Sequence, residues 1–130
     1  MIVDTSAIIA LMMREPEHVR IARALEASPA TSMSTVSLLE LRVVMANERF
    51  RALAHLVDEL LLRYRVSPVA FDAEHVVSAQ RAHERYGKGH HPARLNLGDC
   101  ASYATAKVAG ESLLYVGGDF AQTDIESALG

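Results

Sequence analysis

Short apolar runs alternate with longer stretches of helical periodicity along the chain. The runs at residues 2–4, 30–34, 66–70 and 112–116 have the length of strands and are bounded by polar or turn-forming residues. Pro68 lies within the third run. Because proline cannot donate a hydrogen bond to a neighbouring strand, this strand is predicted at a sheet edge.

Helical periodicity fills the segments between these runs. Asp72 is predicted to cap one helix, and Gly110 to end another. The predicted helices cover residues 6–13, 15–27, 36–46, 49–64, 73–86 and 99–109. Strands that alternate with helices predict an α/β fold, a parallel sheet covered on both faces, in a single domain over residues 1–130.

The composition agrees with one globular domain and indicates the cellular compartment. Half of the residues are hydrophobic and 22% are charged, which is sufficient for a core. The single cysteine, Cys100, cannot form an internal disulfide and suits a reducing compartment. No apolar run approaches the roughly 18 residues of a membrane span, and the acid at position 4 argues against a signal peptide. We therefore expect a cytoplasmic protein without a membrane segment.

Four acids are predicted to meet at one edge of the sheet, because ligand sites in parallel sheets lie at the carboxyl ends of strands. Asp4 ends the first strand and Glu40 lies in the helix after the second. Asp99 opens the helix that leads into the last strand, and Asp119 follows that strand. Each acid alone also fits an ordinary cap, turn or salt bridge. Asp124 is interpreted as a local cap.

Glu40 carries the most information of these acids. On a helical wheel it lies within about 60° of three apolar residues, Val36, Val43 and Val44. A carboxylate on an apolar face costs several kcal/mol of desolvation unless something compensates it. Arg42 points elsewhere on the helix, so we interpret Glu40 as a site residue.

Four carboxylates close together repel one another, and a hard divalent cation, Mg²⁺ or Mn²⁺, is the usual remedy. His90 and His91 are adjacent and do not have the spacing of zinc ligands. An all-carboxylate magnesium site favours phosphate substrates, because the cation activates water and polarises the phosphoryl oxygen.

A loop rich in glycine and basic residues, residues 87–98, precedes Asp99. The formal net charge of −3 argues against nucleic-acid binding through bulk positive charge, although segregated charges are compatible with it. The loop is either a solvated segment or a surface that contacts a phosphate backbone. Lys88 and Arg94 are the candidate RNA-binding residues within it.

The combination of these motifs resembles the PIN-domain ribonucleases of the VapC toxin type, from bacterial toxin–antitoxin systems. The resemblance is carried by MIVDTSA at residues 1–7, Glu40 after MST, LNLGDC at 95–100 and GDFAQTD at 118–124. It implies a three-layer α/β/α sandwich with an acidic Mg²⁺ or Mn²⁺ site. By this analogy Asp4 and Asp99 are the metal ligands, and Glu40 and Asp119 complete the catalytic set.

The resemblance also implies a function and partners. It implies endonucleolytic cleavage of structured RNA such as tRNA or rRNA, a cognate VapB-like antitoxin, and a homodimer. The apolar groove between the helices at 36–46 and 50–62 is the expected antitoxin seat. We expect metal-assisted in-line hydrolysis that leaves 5′-phosphate and 3′-hydroxyl ends.

Two other classes fit parts of the pattern. A receiver-like signalling module would carry paired early aspartates and a lysine at the end of a late strand, whereas Lys107 falls inside a predicted helix. A phosphatase with an aspartate nucleophile would carry a second aspartate at position 6, which is Ser6. A catalytically inactive interaction module is a further alternative that only an assay separates from an active nuclease.

Overall fold

Four parallel strands form the centre of the fold in the computed structural model, which describes residues 1–130. The strand order is β3-β2-β1-β4. The elements in chain order are β1 Ile2–Val3, α1 Thr5–Met12, α2 His18–Ala27, β2 Thr31–Ser34, α3 Thr35–Met45, α4 His55–Arg63, β3 Val66–Val69, α5 Ala73–Tyr86, α6 Leu97–Ala109 and β4 Leu113–Leu114. The predicted edge position of the proline-containing strand is confirmed, since β3 pairs only with β2.

Helices cover both faces of the sheet, so the predicted α/β/α sandwich is confirmed. Alternate residues of the central strands enter different cores, as the pleat of a strand requires. Ile2 and Leu113 pack with residues of α5 and α6, while Val3 and Leu114 pack with residues of α1 to α4. None of the helices combines the length and apolar character needed to cross a membrane.

Several element boundaries differ from the predictions. The helix predicted over 15–27 begins only at His18, after the turn that contains Pro16. The stretch predicted as one helix over 49–64 is a 3₁₀ turn, Arg51–Leu53, followed by α4. The strands predicted over 2–4 and 112–116 are longer than the observed ones, because sheet pairing covers only two residues each of β1 and β4.

The start of α6 corrects the prediction that Asp99 opens this helix. Asn96 is the N-cap, and its side-chain oxygen accepts a hydrogen bond from the Asp99 backbone N–H at 2.9 Å. Asp99 is therefore the third residue of α6, where its carboxylate can bond back to the cap. At the other end, the prediction that Gly110 ends the helix is confirmed, and this glycine adopts the left-handed conformation.

The apolar face predicted for α3 is wrong. Val43 is 63% exposed, and the row that faces the interior is Ser37, Leu41 and Met45. The helix is capped at its start by the Ser34 hydroxyl, which accepts a hydrogen bond from the Val36 N–H. Ser37, Leu41 and Met45 follow one another at intervals of four residues and pack inward. The positions of the valines on the helical wheel did not predict this.

Candidate active site

Asp4 lies at the end of β1 and is 4% exposed. Its Oδ2 atom accepts hydrogen bonds from the Ser6 N–H at 3.0 Å and the Ser6 hydroxyl at 2.6 Å. Its Oδ1 atom accepts one from the Ser102 hydroxyl at 2.5 Å. Asp4 is therefore the cap of α1, as the plainest interpretation had it, and also a buried charge held by donors on two different helices.

Asp99 lies near Asp4 across the start of α6. Its Oδ2 accepts a hydrogen bond from the Asn96 N–H at 3.1 Å, which completes the capping box. Burial raises the pKa of Asp99 to about 6, against the lowering effect of the Asn96 hydrogen bond. The negative charges of Asp4, Asp119 and Glu40 raise this pKa further. The four acids that the sequence singled out therefore share one electrostatic environment.

Glu40 is half-buried on α3, and its carboxylate rests on the backbone of Gly98. A Cβ atom at residue 98 would collide with the carboxylate oxygens and lie 2.7 Å from the Glu40 Cδ atom. Glycine is unfavourable inside a helix, so its presence in the first turn of α6 indicates a close approach. Sequence reasoning did not single out Gly98, because the predicted helix began only at Asp99; the glycine directly before that acid was the available signal.

Asp119 is exposed at the rim of the site and begins the 3₁₀ turn Phe120–Gln122 without capping it. The turn is anchored by Phe120, which is buried and packs on Tyr115 with ring centroids 5.0 Å apart. Gly117 precedes it with a φ of +95°, a conformation that glycine adopts without strain. The Asp119 carboxylate is therefore not needed to hold the turn.

No basic side chain forms an ion pair with Asp4, Glu40, Asp99 or Asp119. The four acids therefore lie near one another without a neutralising side-chain cation. No three acidic, histidine or cysteine side chains converge closely enough to hold one metal ion directly. Magnesium is commonly held by one or two carboxylates and several waters, so the all-oxygen donor set fits such an ion.

Asp124 belongs to a different cluster, and its predicted role as a local cap is wrong. Its carboxylate accepts a hydrogen bond from the Tyr103 hydroxyl and pairs with Lys107 at 3.1 Å and Arg85 at 3.7 Å. Burial alone would raise the pKa of Asp124, but hydrogen bonds from Tyr103 and Lys107 and the nearby positive charges lower it. Asp124 ties the C-terminal segment to α5 and α6.

The basic loop before α6 is closed at its base. The Lys88 N–H donates to the Leu95 carbonyl at 3.0 Å, and Ala93 and Leu95 are fully buried. Lys88 and Arg94 are exposed, and neither side chain forms an ion pair. The loop therefore presents both cations to solvent, and their role in RNA binding stays a prediction.

Comparison with known proteins shows which family the chain belongs to. The PIN domain family model matches residues 1–126. The chain is 46% identical over 129 residues to Ribonuclease VapC42 of Mycobacterium tuberculosis, covering 98% of each chain.

Two solved structures share the fold. The sarcin–ricin loop cleaving toxin VapC20 of Mycobacterium tuberculosis superimposes with a TM-score of 0.74 and 21% identity, covering 95% of each chain. A toxin–antitoxin complex from Klebsiella pneumoniae matches with a TM-score of 0.69 and 20% identity, covering 95% of this chain and 92% of that one. The family model and the sequence identity over nearly the whole length show that this chain belongs to the PIN-domain family, within its VapC ribonuclease group.

Proposed function

We propose that the protein is a metal-dependent endoribonuclease, the toxin of a VapBC-type toxin–antitoxin system. The observation that carries the proposal is the proximity of four carboxylates, Asp4, Glu40, Asp99 and Asp119, without a compensating base. Acids that repel one another in a stable fold are typical of a site that binds a cation. Family membership supplies the reaction class, cleavage of RNA.

Mg²⁺ or Mn²⁺ is the proposed cofactor, held by Asp4 and Asp99. The Asp99 Oδ1 atom forms no hydrogen bond to the protein, and Asp4 Oδ1 forms only one. Both carboxylates therefore retain acceptor positions for an ion. When bound, such a cation polarises a phosphodiester and activates water for in-line attack.

The other two acids complete the catalytic set. Glu40 or Asp119 would accept the proton of the attacking water or hold a second cation. The Glu40 carboxylate packs against the backbone of Gly98, where the absence of a Cβ leaves room for it. The expected products carry 5′-phosphate and 3′-hydroxyl ends, since water and not the ribose 2′-hydroxyl is the nucleophile.

Structured RNA, such as tRNA or rRNA, is the proposed substrate. VapC20 of Mycobacterium tuberculosis, which shares this fold, is a toxin that cleaves the sarcin–ricin loop. Exposed Lys88 and Arg94 on the loop before α6 are suited to contact the phosphate backbone. Both RNA and antitoxin would meet the protein in the cytoplasm.

Two apolar surfaces are proposed for protein partners. Leu39, Val43 and Leu62 are 64%, 63% and 81% exposed on α3 and α4, and this surface is the proposed seat of the antitoxin. A groove of about 370 Å³ beside α5 and the start of α6 is the proposed homodimer contact. Leu97 borders this groove and is 83% exposed.

A lysine introduced into one surface at a time distinguishes the antitoxin contact from the homodimer contact. Leu39→Lys is expected to weaken binding of the cognate antitoxin while the protein keeps its oligomeric state. Leu97→Lys is expected to produce a monomer in light scattering, because a two-fold contact would bring two such charges together. The assignment of the two surfaces is wrong if each substitution has the effect expected of the other.

The central experiment compares Asp4→Asn with wild type on cellular RNA. Asp4→Asn and treatment with EDTA are each expected to abolish cleavage while the circular dichroism spectrum is unchanged. Asp58→Asn is the matched control, since Asp58 is an exposed aspartate that pairs with Arg42. Cleavage that survives Asp4→Asn and EDTA, or products with 2′,3′-cyclic phosphate ends, would refute the proposal. A folded wild type without cleavage would favour an inactive interaction module.

A further inference from the structure

A chain of buried hydroxyl groups connects the interior of the fold to Asp4. Ser37 on α3 and Ser102 on α6 are both fully buried, and their Oγ atoms lie 2.9 Å apart. Ser102 Oγ lies 2.5 Å from Asp4 Oδ1. Neither serine is exposed to solvent, so neither contacts RNA.

The direction of the hydrogen bonds in this chain follows from counting protons. A hydroxyl has one proton, and an ionised carboxylate only accepts. Ser102 therefore donates its proton to Asp4 Oδ1, and Ser37 must donate to Ser102. The resulting order is Ser37 to Ser102 to Asp4, with each hydroxyl fixed by the next group.

The same count identifies which part of the Asp4 carboxylate stays free. The two oxygens offer about four acceptor positions. The N–H and hydroxyl of Ser6 occupy the two positions on Oδ2, and Ser102 occupies one on Oδ1. One position on Oδ1 is left, on the oxygen that Ser102 holds.

We propose that Ser102 is a positioning residue of the active site, whose hydroxyl orients the Asp4 carboxylate so that its remaining Oδ1 acceptor position is available to the cation. Ser37 supports Ser102 in turn. The inference rests on the proposed function, because it concerns how Asp4 serves that site. Groups that orient a metal ligand typically influence affinity or activity by about 10–100-fold when they are removed.

Thr105 provides a matched control on the same helix. It is as buried as Ser102, but its hydroxyl donates only to the Ala101 carbonyl at 2.8 Å. Thr105→Val therefore deletes a buried hydroxyl of α6 without touching Asp4. Any general effect of such a deletion on packing or stability appears in this variant too.

The test measures Mn²⁺ binding to RNA-free protein by calorimetry, together with kcat and KM for RNA cleavage. Ser102→Ala is expected to raise the Mn²⁺ Kd roughly tenfold and to lower kcat, with KM for RNA unchanged. Ser37→Ala is expected to shift both quantities in the same direction by roughly threefold, because Ser102 still donates to Asp4. Thr105→Val is expected to match wild type in both.

The outcomes separate this inference from the proposed function. If wild type binds Mn²⁺ and cleaves RNA, and Ser102→Ala behaves like Thr105→Val, then Ser102 has only a packing role and the inference is overturned. If Ser102→Ala does not fold, Ser37→Ala decides, and a wild-type Mn²⁺ affinity in that variant overturns the inference. A wild type that neither binds Mn²⁺ nor cleaves RNA overturns the proposed function as well.

Discussion

Asp119 and Asp124 lie only five residues apart in opposite electrostatic surroundings. Asp124 meets a hydroxyl and two cations from α5 and α6, and its pKa is lowered. Asp119 meets no base, and its charge helps to raise the pKa of Asp99. The fold thus places basic side chains beside Asp124 and none in ion-pair contact with Asp119. An acid left uncompensated beside other acids is the stronger indication of a site that binds a cation.

The largest expected difference is between the activities of two variants, Asp119→Asn and Asp124→Asn. Asp119→Asn is expected to lower kcat roughly 10²–10⁴-fold, as loss of an acid–base group does, without loss of stability. Asp124→Asn is expected to keep activity within a few-fold and to lower the free energy of unfolding by about 1 kcal/mol. Cleavage assays and urea unfolding of both variants measure the contrast. A similar loss of activity in both would break the comparison.

Substitution of Gly98 tests whether the position of the Glu40 carboxylate matters. Gly98→Ala is expected to lower kcat about 100-fold, because the new methyl group displaces the carboxylate from its place at the site. The fold should persist, since only the end of a flexible side chain has to move. Gly118→Ala is the control, as its Cβ would meet no atom within 4 Å. Wild-type activity in Gly98→Ala would show that Glu40 does not need this position.

Substitution of Lys88 and Arg94 tests the loop before α6, where two exposed cations form no ion pair with an acid. The double substitution to alanine is expected to weaken RNA binding roughly three- to tenfold at low salt and to flatten the dependence on salt. Arg23→Ala with Arg51→Ala is the control, because both arginines are exposed on the α1 to α4 side of the sheet. Affinity that is equal in both double variants across salt concentrations would discard the role of the loop.

The smallest expected effect is on stability in the absence of a divalent cation. Because the pKa of Asp99 is raised to about 6 in the fold, the folded state holds a proton that the unfolded state has released. Stability of metal-free wild type is therefore expected to fall as pH rises from about 4 to about 6, and to stay lower above that range. Asp99→Asn should remove this decline and stabilise the protein at pH 7 by about 1 kcal/mol, because it relieves the burial of the charge and its repulsion by the other acids, both of which solvent reduces at this partly exposed site.

Thermal unfolding at several pH values measures this effect, with and without Mg²⁺. The cation is expected to raise the Tm of wild type at pH 7 but to have little effect on Asp99→Asn, because only a ligand bound to the folded state stabilises it. A Tm of metal-free wild type that changes between pH 4 and pH 6 in step with that of Asp99→Asn would contradict the raised pKa of Asp99.

The sequence predicted the fold and the proximity of the four acids better than it predicted the environment of each residue. Strand–helix alternation indicated the parallel sheet, and the rule on the carboxyl ends of strands brought Asp4, Asp99 and Asp119 to one place. Glu40 was chosen through a valine face that is in fact half exposed. Glu40 lies near the other acids for another reason, the approach of α3 to Gly98 on α6, and its role in the site stays a prediction.

Residue type and spacing are local properties, so the chain by itself determined which segments become strands and helices and which acids end them. The partner of each polar atom depends on how separate elements pack, which spacing along the chain does not encode. Only the tertiary structure could decide that Ser102 donates to Asp4 across nearly a hundred residues, and that Asp124 is neutralised while Asp119 is not. Hydrogen bonds and ion pairs act over a few ångströms, and the fold alone determines which groups come that close.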